Sequence, residues 1–309
     1  MKIPPVLMVI ILFLSGCANQ TGTPSPSNAF MQIIDAAGRQ VDLPLYPERV
    51  VALTSSLAGI WLEAGGNLVG VSSDAFEEQA LRLDEGTIIV GSVKEPSAEI
   101  LVSLEPELVI LSPEITGHKQ LSAILDQLKI PHVFITSDTF ADYLDALELF
   151  TTLTGEVDNF SSYGVDQQKQ IEKYIANCKF PSDRSTALVL RAFSSGVKAK
   201  ADGIVPTEIL DDYGIVNIAR QQNSLLEDLS LEKILEEDPD YIFIVFMGDD
   251  TEKIQENLET SLTGNPAWAA LNAVQNEEVH FLPKELFHFK PNGRWTEAYG
   301  YLYEIVCEP

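Results

Sequence analysis

The chain has 309 residues, of which 45% are hydrophobic, and this is enough to bury two cores of ordinary domain size. Its formal charge of −26 argues against nucleic-acid binding, because phosphates select clusters of Lys and Arg. Apolar periodicity along nearly the whole chain excludes a disordered protein, and the high charge favours the solubility of an exported one.

The first residues have the pattern of an export signal. Lys2 precedes an apolar run over Val6–Leu14, which is too short to cross a bilayer as a permanent helix. Leu14-Ser15-Gly16-Cys17 then resembles the lipobox of bacterial lipoproteins. The pattern predicts a signal peptide over residues 1–16, lipidation of Cys17 and a flexible tether over residues 17–29. A plain signal peptide with an incidental cysteine is the alternative.

Short apolar runs alternate with helical patterns from about Phe30 onward. The runs of strand length are Val50–Leu53, Leu68–Val71, Ile88–Val90, Leu108–Leu111 and Val133–Ile135. Helical patterns between them include Leu57–Ala64, which Gly65-Gly66 stops, and Lys119–Leu128. The alternation predicts βαβ units in a first α/β lobe over residues 30–154.

A long helical pattern separates this lobe from a second one. Asp138 is suited to cap a helix that Gly155 ends, and Glu156–Cys178 predicts a connecting helix over residues 155–180. The second lobe, residues 181–309, has strand patterns at Ala187–Leu190, Tyr241–Phe246 and Val279–Leu282, and helical patterns at Thr207–Tyr213 and Thr296–Val306. Phe193–Gly203 is predicted as a loop or hairpin at a strand end, where ligands bind in open α/β sheets.

One segment occurs twice. Ser97–Leu111 reads SAEILVSLEPELVIL and Ser230–Ile244 reads SLEKILEEDPDYIFI, and the two align without a gap. Each copy predicts a short helix, a Pro that stops it and a buried strand. The copies are too far apart for a solenoid, whose period is about 20–50 residues. They indicate two similar lobes with a ligand cleft between them.

Several stretches resemble a known family. Ile34–Ser55, Glu63–Ser72, the first repeat copy and Asn265–Pro283 are similar to the solute-binding proteins of metal-chelate ABC importers, which carry ferric siderophores, haem or cobalamin. The resemblance covers Ile34–Val306 and implies two Rossmann-like α/β lobes joined by one long backbone helix. It implies a monomer without cofactor that binds a chelate non-covalently and delivers it to a permease dimer with its ATPase. Such a protein is exported and anchored on the outer side of the cytoplasmic membrane.

The predicted ligand-binding set consists of residues expected near the cleft. Its members are Ser55, Ser56, Asp74, Lys94, His118, Arg191, Phe193, Phe287, His288 and Arg294. The arginines suit an anionic ligand, together with Lys198, Lys200 and Lys290 in nearby segments. His118 and His288, in loops after strands, suit haem or ferric iron, and the phenylalanines suit a flat ligand. A solvated surface or a core position is the alternative for each of these residues.

Two further features are implied by the resemblance. Glu99 and Glu232 occupy the same place in the two repeat copies, and the family presents one Glu per lobe there to permease arginines. Stabilisation by the helix dipole, with capping by Ser97 and Ser230, is the alternative explanation. In the cobalamin-binding relatives an aromatic residue lies six positions before each Glu. Val93 and Leu226 stand there in this chain, which lowers the case for cobalamin.

The remaining candidates leave alternatives open. Cys178 and Cys307 are either a disulfide of an exported protein or two buried thiols. No nucleophile elbow, P-loop, dinucleotide fingerprint or paired-His zinc motif occurs in the sequence, and no metal site is predicted. The alternatives to a transport function are an enzyme on the same two-lobe scaffold and a surface lipoprotein that scavenges ligand without a permease.

Overall fold

The chain forms two units, each with its own parallel sheet. The computed structural model describes residues 29–77, 81–179, 185–221, 226, 229–248 and 250–308. The first unit contains the described residues up to Ser137 and Asp142–Gly164, and the second contains Asp138–Ala141 and the residues from Val165 onward. The predicted α/β class is therefore confirmed. Cys17, the signal peptide and nearly all of the tether lie outside the described residues.

The first unit is built on a five-stranded parallel sheet. Its strands are β3 (Val50–Ala52), β4 (Gly70–Val71), β5 (Ile88–Ile89), β6 (Leu108–Leu111) and β7 (His132–Phe134), in the order β5-β4-β3-β6-β7. All four residues of β6 are buried, as expected for a strand with helices on both faces. Each strand lies within, or one residue from, an apolar run of the sequence.

The helices of the first unit follow the predicted alternation. They are Ser55–Glu63, Asp74–Glu77, Ala98–Ser103, Thr116–Leu128 and Phe140–Thr154. The first begins where the Thr54 hydroxyl accepts a hydrogen bond from Leu57 N, and it ends at Glu63, two residues before Gly65, whose φ is 83°. Gly66 then lies against the ring of Trp61, which is fully buried. A side chain at position 66 would collide with that ring.

An antiparallel hairpin precedes this sheet, and the sequence patterns did not predict it. Its strands are β1 (Phe30–Ile34) and β2 (Gln40–Pro44). Asp35, in the hairpin turn, accepts hydrogen bonds from Ala37 N and Arg39 N, and its carboxylate also receives Arg39 Nη2 at 2.7 Å. Each of these five-residue strands buries only one side chain, Ile33 in β1 and Leu43 in β2, so neither shows the alternation of a half-buried strand, and this explains the omission.

A continuous helical run contains the boundary between the units. It comprises Asp158–Phe160, a π-helical turn at Ser161–Val165 and Asp166–Asn177, and the boundary follows Gly164. The helix Phe140–Thr154 also contributes to both units, because its first two residues belong to the second one. The prediction of a single connecting helix did not include this second helix.

The second unit repeats the architecture. β8 (Thr186–Phe193), β10 (Val216–Asn217), β11 (Tyr241–Met247) and β12 (Val279–Leu282) form a parallel sheet in the order β10-β8-β11-β12. β9 (Gly196–Ala199) pairs antiparallel with β8, so the segment predicted as a loop or hairpin is a hairpin. The helices are Val205–Asp212, Leu231–Glu237, Thr251–Leu258, Asn272–Gln275, Lys284–Phe287 and Trp295–Val306.

A disulfide joins the two helix ends in this unit. Cys178, which follows the helix Asp166–Asn177, is bonded to Cys307, which follows the helix Trp295–Val306, with 4.9 Å between their Cα atoms. Along the shared flank of these helices Gly300 lies against the Tyr174 ring. The disulfide between Cys178 and Cys307 closes a loop with a sequence separation of 129 residues.

Candidate functional site

Hydroxyl groups collect at the carboxyl ends of the first unit's strands. Ser56 Oγ lies 3.2 Å from Thr54 Oγ1 and 3.3 Å from Ser137 Oγ. Thr54 and Ser56 follow β3, and Ser137 follows β7, so the sheet brings together residues that are distant in the sequence. Ser56, a predicted ligand-binding residue, is thus one member of a cluster whose other two members, Thr54 and Ser137, were not predicted.

Asp74 forms a hydrogen bond with the first residue of the helix Ser55–Glu63. Its carboxylate accepts a hydrogen bond from Ser55 N at 2.8 Å and another from the Ser72 hydroxyl. Ser55 itself is buried, with 7% of its surface exposed. Predicted residues Ser55 and Asp74 therefore lie together at the ends of β3 and β4, and the carboxylate fixes the local backbone.

The predicted loop position of His118 is wrong, and its contact with a ligand stays a prediction. His118 lies in the first turn of the helix Thr116–Leu128 rather than in a loop, and it is fully buried. Its Nδ1 accepts a hydrogen bond from Ser112 N at 2.9 Å. Burial lowers the pKa of its imidazole below the ordinary value, partly offset by the nearby Val93 carbonyl. His118 is a neutral core residue because the helix begins earlier than the sequence pattern suggested.

Lys94 lies on an exposed turn between β5 and the helix Ala98–Ser103. Its backbone carbonyl lies against Gly117, where a Cβ atom would collide with it. The side chain remains at the surface, so a ligand contact by Lys94 stays a prediction.

Arg191 in the second unit has the surroundings of an anion-binding residue. It lies on β8 between Leu190 and Ala192, which face the core, so its side chain extends from the other face of the sheet. Its Nε is buried and has no hydrogen-bond partner, and no carboxylate among the described residues forms an ion pair with it. Burial lowers the pKa of its guanidinium group.

Two lysines join Arg191 on this face. Lys198 is opposite Arg191 in the β8–β9 register, and Lys200, two residues on, faces the same side. Burial lowers the pKa of the Lys200 amine, and the positive charge of Arg191 lowers it further, against the attraction of Asp202. The alternating lysines were visible in the sequence, and the hairpin pairing brings them to Arg191.

The predicted aromatic residues separate into different environments. Phe193 ends β8 and is half-buried. Phe287 is not in a loop, as predicted, but in the helix Lys284–Phe287 and only 1% exposed, and its contact with a ligand stays a prediction. The helix forms because it can bury Leu286 and Phe287 together. His288 follows this helix, half-buried, with its ring 4.8 Å from that of Phe289.

The other predicted basic residues have carboxylate partners. Arg294 is exposed and donates two hydrogen bonds to Glu297, at 2.8 Å and 2.7 Å. Lys290 pairs with Asp138 at 2.8 Å. Arg294 lines a groove of about 460 Å³ with Tyr174 and Tyr301, whereas Arg191 does not line it. The positive charges of Arg294 and Lys290 are thus offset by Glu297 and Asp138, whereas no described carboxylate offsets that of Arg191.

Both repeat carboxylates are at the surface. Glu99 and Glu232 each lie in the first turn of a short helix, and both side chains are exposed. Ser97 Oγ accepts a hydrogen bond from Ile100 N at 3.3 Å, whereas Ser230 makes no such bond. Capping of the first helix by Ser97 is thus confirmed, and capping of the second by the Ser230 side chain is wrong.

The described residues contain neither a metal-binding cluster nor a membrane-spanning helix. No group of three or more His, Cys, Asp or Glu side chains in the described part of the chain is placed to hold a metal ion. Among the same residues, no helix combines the length and the apolar character that crossing a bilayer requires.

Comparisons with known proteins agree on one type of protein. The family model described as "Periplasmic binding protein" matches residues 50–286. The Fe(3+)-citrate-binding protein YfmC of Bacillus subtilis is 26% identical over 89% of this chain and 86% of its own length. The putative ABC transporter substrate-binding lipoprotein YhfQ of the same organism is 23% identical over 92% and 91%. The structure of Bacillus subtilis FeuA with ferri-bacillibactin superposes with a TM-score of 0.67 at 18% identity, over 89% of this chain and 97% of that one.

Proposed function

Because the chain belongs to the periplasmic binding protein family, we propose that it captures an iron chelate and delivers it to the permease of an ABC importer. The relative named as an Fe(3+)-citrate-binding protein aligns with nearly the whole chain, and this supports iron as the transported metal. The family resemblance found in the sequence is confirmed, and the chain is a binding protein rather than an enzyme.

The ligand is an anionic chelate. The observation that carries this step is the half-buried Arg191, without a carboxylate partner among the described residues and beside Lys198 and Lys200. An unpaired buried cation is costly unless an anion neutralises it, so an anionic ligand stabilises this arrangement. A guanidinium group also binds carboxylate and catecholate oxygens in a bidentate manner.

The first unit has a cluster of hydroxyl groups that can form hydrogen bonds with a ligand. Ser56 and its neighbours Thr54 and Ser137 offer donors and acceptors at the carboxyl ends of parallel strands, the usual ligand position in open α/β sheets. These groups are neutral, so they orient a ligand by hydrogen bonds without selecting its charge.

The delivery step uses Glu99 and Glu232, one on each unit. Their exposure supports contact with a partner, and exposed charges of this kind steer association and fix its register. Two equivalent carboxylates suit a two-fold symmetric permease. Lipidation of Cys17 keeps the protein on the outer side of the cytoplasmic membrane, next to that permease, and the relative named as a lipoprotein supports the anchor.

Thermal-shift measurements with a panel of chelates test the ligand. The panel contains ferric citrate, a ferric catecholate, a ferric hydroxamate, haem and cobalamin. A ligand that binds only the folded protein raises the melting temperature, and at a fixed concentration the rise is larger for a ligand with a smaller Kd. We expect an anionic ferric chelate to give the largest shift, and cobalamin to give none.

The iron-free chelators and free ferric iron serve as controls in this panel. A shift with cobalamin alone, or with none of the iron compounds, contradicts the proposal. Conversion of a bound chelate to a new compound during incubation would instead support an enzyme. Tight binding combined with normal iron uptake in a permease deletion would support a scavenging lipoprotein.

A further inference from the structure

The outer strands β7 and β12 occupy equivalent edges in the two sheets. Leu111 pairs with Phe134 in the first unit, and Ile244 pairs with Phe281 in the second. Leu111 and Ile244 are aligned in the repeat, so Phe134 and Phe281 are equivalent positions. The chain thus contains the same edge twice, and the two copies differ in what covers them.

The hairpin turn after β1 covers the edge in the first unit. Phe134 N donates to the Asp35 carboxylate at 3.2 Å, and Ala36 N donates to the Phe134 carbonyl at 2.9 Å. The Arg39 guanidinium lies over the Phe134 ring, 4.6 Å from its centre. Phe134 is consequently only 3% exposed. This edge is protected by a backbone segment and a cation.

The equivalent edge in the second unit is open. Phe281 is 54% exposed. Ile242 N bonds to the Glu278 carbonyl, so in the alternating ladder the backbone groups of Val279 and Phe281 point away from β11. Among the described residues no strand pairs with this side of β12, and nothing bonds to the outward N–H and C=O of Phe281.

A groove of about 600 Å³ runs beside this edge. Its walls are partly apolar and partly acidic or polar: Gln255, Leu258, Glu259, Thr263, Trp268, Val274, Glu277, Val279 and Phe281. Trp268 forms part of the wall and is 6% exposed, and the Phe281 ring packs edge-on against Phe246 at 5.5 Å. The side chains of an added strand would therefore meet a formed apolar surface.

The rim of the groove carries unneutralised negative charge. Glu259 and Glu277 are both exposed, and no described Lys, Arg or His forms an ion pair with either. A second copy of this chain would bring a further net charge of −26 to the groove. Like charges that meet at a contact repel each other, and this argues against a second copy of this chain as the occupant. A basic partner, by contrast, is attracted to the acidic rim.

We propose that the open edge of β12 and its groove bind an extended, basic segment of another protein. The segment adds to the edge through the backbone groups of Phe281, as β-strand addition does elsewhere. Its apolar side chains enter the groove near Trp268, and its Lys or Arg residues stack on Phe281 and pair with Glu259 and Glu277. The covered edge of the first unit, with Arg39 on Phe134, shows the chemistry that this position accepts.

A fluorescent peptide of alternating valine and lysine or arginine residues tests this surface by anisotropy. We expect micromolar binding that weakens about tenfold in Phe281→Ser, because the ring stack and the edge contact are lost together. The double variant Glu259→Gln/Glu277→Gln should weaken binding and reduce its salt dependence. Hydrogen exchange of the amides in residues 279–282 should slow when the peptide is added.

The matched control is Phe30→Ser, since Phe30 is 59% exposed on β1 of the first unit. Phe30→Ser should bind the peptide normally, and a peptide with glutamate in the basic positions should not bind. Melting curves check that Phe281→Ser is folded. Binding that is unchanged in both the Phe281 and the glutamate variants overturns the proposal. Equal binding of the acidic peptide also overturns the proposal. Self-association of the chain, measured by sedimentation and abolished by Phe281→Ser, overturns it as well.

Discussion

The two copies of the repeat have the same backbone but are stabilised by different side chains. Glu105 and Asp238 are aligned, and both take a left-handed conformation before the proline, with φ of 46° and 42°. In the first copy Arg49 donates to the carbonyls of Leu104 and Glu105, whereas in the second Asp238 accepts from Asn272. The turn is thus a property of the repeat, and each unit evolved its own way of holding it.

The second carboxylate of the repeat has kept one role in both copies. Glu107 accepts hydrogen bonds from the backbone amides of Glu48 and Arg49, just before β3. Asp240 accepts them from Ser185 and Thr186, at the start of β8. Each carboxylate therefore ties the strand of the repeat to a neighbouring strand of its sheet, β3 for β6 and β8 for β11, and this explains why an acidic residue follows both prolines.

The largest effect is expected from the two exposed glutamates. Glu99→Arg combined with Glu232→Arg should abolish uptake of the chelate, because both contacts to the permease become repulsive. Ligand affinity and melting temperature should remain as in the unmodified protein, since both side chains are exposed. Uptake of radioactive iron in cells measures the loss, and the single variants are the controls. Normal uptake by the double variant would exclude docking through the repeat.

A large loss of stability is expected when the disulfide of the second unit is removed. Cys178→Ser with Cys307→Ser removes a link across 129 residues that exists only in the second unit. A disulfide of this kind contributes about 2–4 kcal/mol, so denaturant unfolding should begin earlier for the second unit. Hydrogen exchange that reports separately on β6 and β11 measures the difference. Equal loss of protection in both strands would contradict a stabilisation confined to the second unit.

The strand-tying carboxylates allow a matched pair of substitutions. Asp240→Ala should reduce the free energy of unfolding by about 2 kcal/mol, because it leaves two backbone amides and the Thr186 hydroxyl without their charged acceptor. Glu107→Ala should cost about 1 kcal/mol, since Glu107 is more exposed and binds two amides. Urea titration of both variants gives the order, and the reverse order would contradict this account of the repeat.

The two arginines predicted to bind ligand should behave differently. Arg191→Ala should weaken binding of an anionic chelate by about tenfold or more, because a buried charge-assisted hydrogen bond is lost. Arg294→Ala should have little effect, since its guanidinium group is exposed and already bound to Glu297. Calorimetric titration of both variants separates them. Equal weakening by the two substitutions would show that Arg294 leaves Glu297 when ligand binds.

The smallest expected effect concerns the helix caps. Ser97→Ala removes the side-chain hydrogen bond to Ile100 N and should cost about 1 kcal/mol. Ser230→Ala should be nearly neutral, because Ser230 makes no side-chain cap bond. Thermal unfolding of the two variants measures the difference. A cost for Ser230→Ala equal to that for Ser97→Ala would show that the second helix forms its cap in solution.

Local sequence patterns indicate the α/β class, the two lobes and the family. Buried parallel strands such as Leu108–Leu111 are continuous apolar runs, and the repeated segment shows that the pattern occurs twice. These features are local, so one stretch of residues carries each signal.

Which candidate side chains are buried or paired with a charged neighbour is visible only in the folded chain. His118 and Phe287 are candidates for ligand contact by their positions along the chain, but the helices that contain them bury both side chains. Arg191 and Arg294 are the same residue type in similar segments, and only the folded chain shows that Glu297 neutralises one while the other lacks a described carboxylate. Burial and pairing depend on residues distant in the sequence, so no local pattern encodes them.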